Sequence, residues 1–381
     1  MKSLGVYIHI PFCTQKCGYC DFLSFPAGEA DMDAYRDALC RELALWDKDV
    51  QGYAVDTVFI GGGTPTFFSA SSIAQILKAC RAHLHFCAHA EITIEANPGT
   101  IDQRKAFALQ ASGINRVSVG LQSAHDDILK ALGRVHDYAQ FVQGMAYLER
   151  AGIENINVDL MYGLPRQREN HFSDAVQKAH DAGARHISAY ELILEEGTPF
   201  EMRHRQKELV LPDEDAVAQM EEAGQRLLGK LGYARYEVSN YAQKGYECRH
   251  NLKYWELNEY IGFGLGAHSC LKTSAGWVRH ANERTLRAYQ EKIAVGIKPV
   301  AQAQVISEQE QMFECFMLGL RKTAGVELRA FRTRFGVDAF DVYGDVFDKL
   351  QQEGLLLADE YTVRLTKTGM NIMNRILLQF M

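Results

Sequence analysis

Short apolar runs alternate with amphipathic stretches along most of the chain. Val6-Tyr7-Ile8-His9-Ile10 alternates with period two and predicts a strand. Between Asp33 and Trp46, the residues Leu39, Leu43 and Trp46 recur at helical spacing and predict a helix. The pair of patterns then repeats. Strands are predicted at Thr57–Ile60, Glu91–Pro98, Arg116–Gln122, Asn155–Gly163 and His186–Leu192. Helices are predicted between them at Ser72–His83, Gln103–Ser112, Tyr138–Ala151 and Asp174–Gly183. Six strands in alternation with helices predict an α/β fold whose parallel sheet is closed, or nearly closed, by crossover helices.

The pattern changes near Ile297, through Lys298-Pro299-Val300-Ala301-Gln302. Helices are predicted at Glu308–Leu320, Leu328–Phe335 and Tyr343–Glu353, then a hairpin over Leu355–Leu365 and a last helix over Thr368–Phe380. That order resembles a winged-helix module, a small α+β unit. The chain therefore divides into residues 1–296 and 297–381. The charges of the second unit are mixed rather than basic, which favours packing or partner contact over DNA binding.

Chemistry concentrates where the first strand ends. Cys13, Cys17 and Cys20 follow it at spacings of four and three. A zinc half-site has this look, but no downstream Cys or His pair completes it. Thiolates also hold iron–sulfur clusters, and a four-iron cluster normally takes four. Three from one loop leave one iron open to chelation by a small molecule. One unit later Gly61-Gly62-Gly63-Thr64-Pro65-Thr66 follows a strand, where glycines let backbone amides approach a ligand; alone, the word could equally be a turn. Glu95, Gln122 and Asp159 fall at or near the C-terminal ends of successive strands. Each alone could be a satisfied polar residue, whereas several in register point to a shared ligand.

Composition narrows the class. Apolar residues make up 47% of the 381, which excludes wholesale disorder. The formal net charge of −7 argues against gripping nucleic acid by bulk electrostatics. Cys40, Cys80, Cys87, Cys248, Cys270 and Cys315 are scattered, as small buried residues of an intracellular, reducing compartment would be. The start of the chain does not read as a signal peptide, and no run of about 18 apolar residues is present to span a membrane. The expected location is cytoplasmic.

With Tyr19 before its last cysteine, the Cys13-x3-Cys17-x2-Cys20 word resembles the signature of the radical S-adenosylmethionine (SAM) superfamily. The resemblance implies a partial (β/α)6 TIM-like barrel with a [4Fe–4S] cluster on these cysteines and SAM chelated at the open iron. An electron from the cluster, supplied by a donor, then cleaves SAM to a 5′-deoxyadenosyl radical. Tyr-x-His-Ile-Pro-Phe-Cys, GGGTPT, GlyLeuGln and AspLeuMetTyrGlyLeuPro resemble the branch holding oxygen-independent coproporphyrinogen III oxidase. In that branch, residues matching Tyr7, Gly62 and Glu95 line one SAM. Those matching Tyr19, Gly63, Thr64, Gln122, Arg134 and Asp159 line a second.

The oxidases carry a further cysteine two residues past the third ligand, where this chain has Phe22, and a segment before the first strand. Both departures count against oxidase activity. Arg249-His250-Asn251-Leu252-Lys253-Tyr254-Trp255, and Gly262 to Ser269 after it, resemble instead the HemW family of haem chaperones. That resemblance implies haem as a further ligand and haem-accepting proteins, respiratory enzymes among them, as partners. Imidazole ligates haem iron and aromatic rings pack on the macrocycle, so His250 is the haem candidate. A core histidine stacked among aromatics is the equal alternative, and the more so for His268. Alone or as a homodimer, the expected protein receives haem and passes it on. The oxidase, abstracting hydrogen from propionate side chains, is the alternative.

Overall fold

The computed structural model describes residues 1–381. Six strands form its centre: β1 (Lys2–Ile10), β2 (Tyr53–Gly62), β3 (Phe86–Ala96), β4 (Arg116–Gln122), β5 (Asn155–Tyr162) and β6 (His186–Glu191). Each pairs in parallel with the next. The crossovers carry α1 (Glu29–Leu45), α2 (Ala70–His83), α3 (Gln103–Ala111), α4 (Asp126–Ala131), α5 (Tyr138–Arg150) and α6 (Glu169–Asp181). Side-chain caps fix several helix starts: Ser69 accepts from the Ser72 amide, and Asp137 forms a capping box with Gln140. The helix expected from Asp174 begins at Glu169 instead, where Arg168 and His171 cap its first turn.

The strands alternate, but with the apolar side outward. Leu4, Val6, Ile8 and Ile10 of β1 and Val117, Val119 and Leu121 of β4 are buried in the layer between sheet and helices. The other face points into the barrel, where Glu95, Arg116, Ser118, Asn157, Asp159, His186 and Ser188 line one cavity. A sheet buried on both faces is usually apolar on both; a polar inner face is the exception that makes room for a ligand.

The barrel does not close. Two elements follow β6, α7 (Pro199–Arg205) and α8 (Glu214–Lys230), before β7 (Ala234–Arg235) and β8 (Asn240–Ala242) extend that end antiparallel. The helix α9 (Arg249–Trp255) comes next. Then β9 (Tyr260–Phe263) pairs in parallel with the free side of β1. The antiparallel strands β10 (His268–Thr273), β11 (Gly276–Asn282) and β12 (Val300–Ile306) continue from it, with α10 (Leu286–Ala294) between the last two. The open sheet has the order β12-β11-β10-β9-β1-β2-β3-β4-β5-β6-β8-β7. Residues 300–306, placed by the sequence pattern beyond the division at 296, pair with β11 in this sheet.

The last part has its own core. It comprises α11 (Glu308–Gly319), β13 (Val326–Glu327), α12 (Leu328–Phe335), α13 (Ala339–Gln352), the hairpin β14 (Leu356–Ala358) and β15 (Thr362–Leu365), α14 (Lys367–Asn371) and α15 (Met373–Leu377). Phe316 packs on Phe331, Phe347 and Phe380 at ring distances of 5.5, 5.4 and 5.1 Å. The single final helix expected from Thr368 is broken at Ile372, whose amide bonds back only to Gly369 before the chain restarts. The break keeps Met370, Met373, Ile376 and Phe380 all in the core.

This module touches both ends of the sheet. At one end Thr323 donates to the Tyr236 carbonyl, and Glu237 bridges to Lys322. At the other, Arg334 donates to the Leu257 carbonyl at 2.9 Å and lies over the Trp277 ring at 4.1 Å. Arg279 and Glu314 form a two-bond ion pair beside it.

Candidate functional site

The six strands deliver their C-terminal ends to one side, where the cysteine loop and the glycine loop meet. Gly63 donates to the Ile10 carbonyl and Thr64 to the Phe12 carbonyl, both at 2.8 Å, so the two loops are stitched backbone to backbone. Gly62 holds φ +117°, open to glycine and not to other residues, and a Cβ there would lie 2.5 Å from the His9 ring. Its amide donates to Glu95 Oε2 at 3.0 Å. Gln122 ends β4 with φ +70°, where the register with β5 shifts; a non-glycine residue held there stores strain of the kind found at binding sites.

A cavity of about 460 Å³ opens on this side. Cys13, Cys17, Cys20, Tyr19, Gly62, Gly63, Thr64, Glu95, Gln122, Arg134 and Asp159 all line it. Tyr7 stands behind the wall, its phenol donating to His9 Nδ1 at 3.0 Å. His9 Nε2 meets the Leu23 carbonyl at 2.9 Å. A carbonyl only accepts, so Nε2 carries the proton and Nδ1 is the acceptor. His9 thereby ties Tyr7 to the end of the cysteine loop. In the sequence it stands within the Tyr-x-His-Ile-Pro-Phe-Cys word, with no role of its own assigned.

Each of two sulfurs has a donor beside it. Thr64 Oγ1 lies 3.6 Å from Cys13 Sγ, and Arg134 Nη1 3.7 Å from Cys17 Sγ. Arg134 is fixed by a second bond, 2.7 Å to the Gly120 carbonyl. Tyr19 stands next to it and packs edge-on to Phe200. Donors close to thiolates stabilise their charge and tune what they bind. The acidic, imidazole and thiol groups of the chain do not converge on a point suited to a single ion. A cubane asks something else, one thiolate at each of three separate corners. The three half-buried cysteines on one cavity wall fit that demand.

Burial, then the nearby Asp159, pushes the Glu95 carboxyl up to about 7, against the pull of the Gly62 amide. Asp159 is also raised by burial, though Ser118 and Asn157 donate hydrogen bonds to it. Around the mouth, Phe22, Val135, Tyr190 and Ile193 are 60, 54, 40 and 66% exposed, an apolar collar over a polar interior.

His250 lies apart from the cysteines. It is on α9, whose first amides, Arg249 and His250, donate to Glu91 at the N-terminal end of the barrel. Its Nδ1 meets Thr57 Oγ1 and its Nε2 meets Tyr254 Oη, both at 2.9 Å. The ring stacks on Phe59 at 5.4 Å, and burial pushes its pKa down to about 3. Both nitrogens are engaged, so ligating iron there would require Thr57 or Tyr254 to give way. His268 is exposed at the start of β10.

A radical SAM superfamily model matches residues 7–179, and a HemN C-terminal domain model matches residues 306–372. The haem chaperone HemW of Lactococcus lactis is 35% identical, the alignment covering all of this chain and 98% of that one. The HemW of Escherichia coli is 36% identical, covering all of this chain and 99% of its own. Among solved structures, the coproporphyrinogen III oxidase of Escherichia coli superposes with a TM-score of 0.85 over all of this chain and 90% of that one, at 21% identity. That likeness is one of fold. No helix is long and apolar enough to cross a membrane.

Proposed function

The chain belongs to the radical SAM superfamily and, within it, to the HemW haem chaperone family; from that premise we propose that it binds haem, a [4Fe–4S] cluster and SAM, and delivers haem to haem-dependent proteins. The observation that carries the proposal is similarity to curated haem chaperones along the whole length, terminal module included. Cys13, Cys17 and Cys20 would hold the cluster. SAM at its open iron would be lined by Tyr7, Gly62 and Glu95, and a second SAM by Tyr19, Gly63, Thr64, Gln122, Arg134 and Asp159. When bound, the cluster supplies one electron at a time and a Lewis-acidic iron.

The residues of the chain do the rest. Glu95, placed by its bond to Gly62, would offer a carboxylate to the amino N–H groups of SAM. Tyr7 commits its proton to His9, so its remaining lone pairs are acceptors. Arg134 holds the cysteine loop to β4. We place the apolar face of haem on the collar of Phe22, Val135, Tyr190 and Ile193, because a macrocycle gains most from exposed apolar area. Phe22 stands where the oxidases carry a cysteine, and there it serves the collar.

Anaerobic haem titration of the cluster-loaded chain tests this. Phe22→Ser should weaken haem binding about tenfold, equal to about 1.4 kcal/mol, and His250→Ala should leave the haem spectrum unchanged. A changed spectrum in His250→Ala with full affinity in Phe22→Ser would move haem to α9. Incubation with SAM, reductant and coproporphyrinogen III should give no protoporphyrinogen; catalytic product would replace the chaperone with the oxidase.

A second outcome follows from Glu95. Its carboxyl is raised to about 7, so it is neutral below that pH and charged above it. SAM affinity should therefore climb as pH rises from 6 to 8, by up to about tenfold per unit below the pKa. The same ionisation opposes folding, so its contribution to stability falls as pH passes from 4.5 to about 7. Glu95→Gln should flatten the binding profile, and a native profile already flat would remove Glu95 from the site.

A further inference from the structure

Arg116 is among the largest side chains wholly inside the protein, 1% exposed, at the start of β4 on the inner face of the barrel. It lines the same cavity as the cysteines, at the opposite end. A strand advances about 3.3 Å per residue, so Arg116 and Gln122 are separated by about 20 Å of β4. Its guanidinium has five N–H donors, and none finds an acceptor in the chain; the Nε is buried without a partner. Buried charges elsewhere in proteins are paired.

The carboxylates nearest to it are already occupied. Glu91 accepts the Arg249 and His250 amides at 3.2 and 3.1 Å, and caps α9. Asp159 accepts from Ser118 Oγ at 3.1 Å and Asn157 Nδ2 at 2.7 Å. Both act on Arg116 through space without reaching it. Directly across the sheet, in register on β3, Thr93 Oγ1 is also buried and unpartnered. Two orphaned polar groups thus stand side by side on neighbouring strands. Asn251, on α9, lines the cavity as Arg116 does. The other polar groups at this depth satisfy one another: His186 bonds Asn157 and Tyr236 at 2.6 and 2.8 Å, and Ser188 bonds Asn157.

We propose that Arg116 is the anchor for a carboxylate of a small molecule that fills the deep half of the cavity. The guanidinium fork matches a carboxylate in two parallel bonds. The polar walls suit a zwitterionic amino-acid derivative, the second SAM being a ligand of that class; a porphyrin propionate shares the carboxylate. The inference rests on the reading of the cavity as a SAM and haem site and adds a subsite to it.

The test uses the full chain carrying its cluster, under anaerobic conditions. Equilibrium dialysis compares SAM with decarboxylated SAM, and haem with its dimethyl ester, on the native chain, Arg116→Met and Arg116→Lys. For one pair, the native preference for the carboxylate should shrink about tenfold in Arg116→Met, with Arg116→Lys between the two. The responding pair identifies the source of the carboxylate. An unchanged preference in both pairs overturns the anchor, and so does a native chain indifferent to the carboxylate in both, a result that needs no variant to fold. Iron and sulfide on the same samples separate this from failure of the wider reading. Full cluster and native SAM and haem binding beside an unresponsive Arg116→Met removes the anchor alone; a native chain that binds neither ligand removes both.

Discussion

Cys17→Ser should lose the cluster: iron and sulfide per chain fall to near zero after anaerobic reconstitution, and the broad visible absorbance goes with them. Three thiolates are already one short of the usual set, and a hydroxyl is a far weaker ligand than a thiolate. The change also strips Arg134 of its sulfur partner at 3.7 Å, leaving a buried cation without that contact. Cys13→Ser and Cys20→Ser should behave alike, because all three line one wall. Cys87→Ser, half-buried on β3 and outside the cavity, should keep its cluster. A Cys17→Ser chain with native iron and sulfide would dissolve the ligand assignment, and loss in Cys87→Ser would mean that reconstitution fails for reasons other than ligation.

Gly63→Ala should be nearly as damaging, for a steric reason. A Cβ at Gly63 would lie 2.6 Å from the Phe12 carbonyl oxygen, 2.9 Å from its carbon and 3.0 Å from Cys13 Sγ. Two of these are backbone, pinned by the Thr64 amide, so no rotamer relieves the clash. Relief must come from moving the cysteine loop off β2, at a cost of about 1–3 kcal/mol for overpacking. The predicted signature is a folded chain with less than half the native iron and SAM affinity lowered by about tenfold or more. The control is Gly52→Ala, whose surroundings are open but whose φ of +88° strains any side chain. It should cost stability and leave the cluster intact. Native iron content and SAM binding in Gly63→Ala would show that the two loops are not coupled as described.

Legibility in the sequence tracked the range of the interactions. The six parallel strands were readable because each is a short apolar run, and the cysteine word because its ligands lie within eight residues. Glu95, Gln122 and Asp159 could be read as a set only because strand ends in register reach one place. His9 could not be read that way: its role depends on Leu23, brought back by the fold of the loop. Arg116 looked like the first residue of an ordinary strand, and only the inner-facing alternation with Ser118 and Gly120 hints at its direction. The strands from β7 to β12 are short or polar, and β9 finds β1 across some 250 residues, a pairing that no local pattern announces. His250 lies in a word rich in aromatic residues; in the fold those rings and Thr57 satisfy it.

The unclosed sheet has a mechanical consequence. Since β6 and β1 never pair, no ladder of hydrogen bonds fixes the bore of the barrel. What spans the gap is the terminal module, fastened through Tyr236 and Glu237 on one flank and through Leu257, Trp277 and Arg279 on the other. It works as a clasp on a split ring. A shift of the clasp would therefore alter the aperture while the ladders from β1 to β6 stay paired.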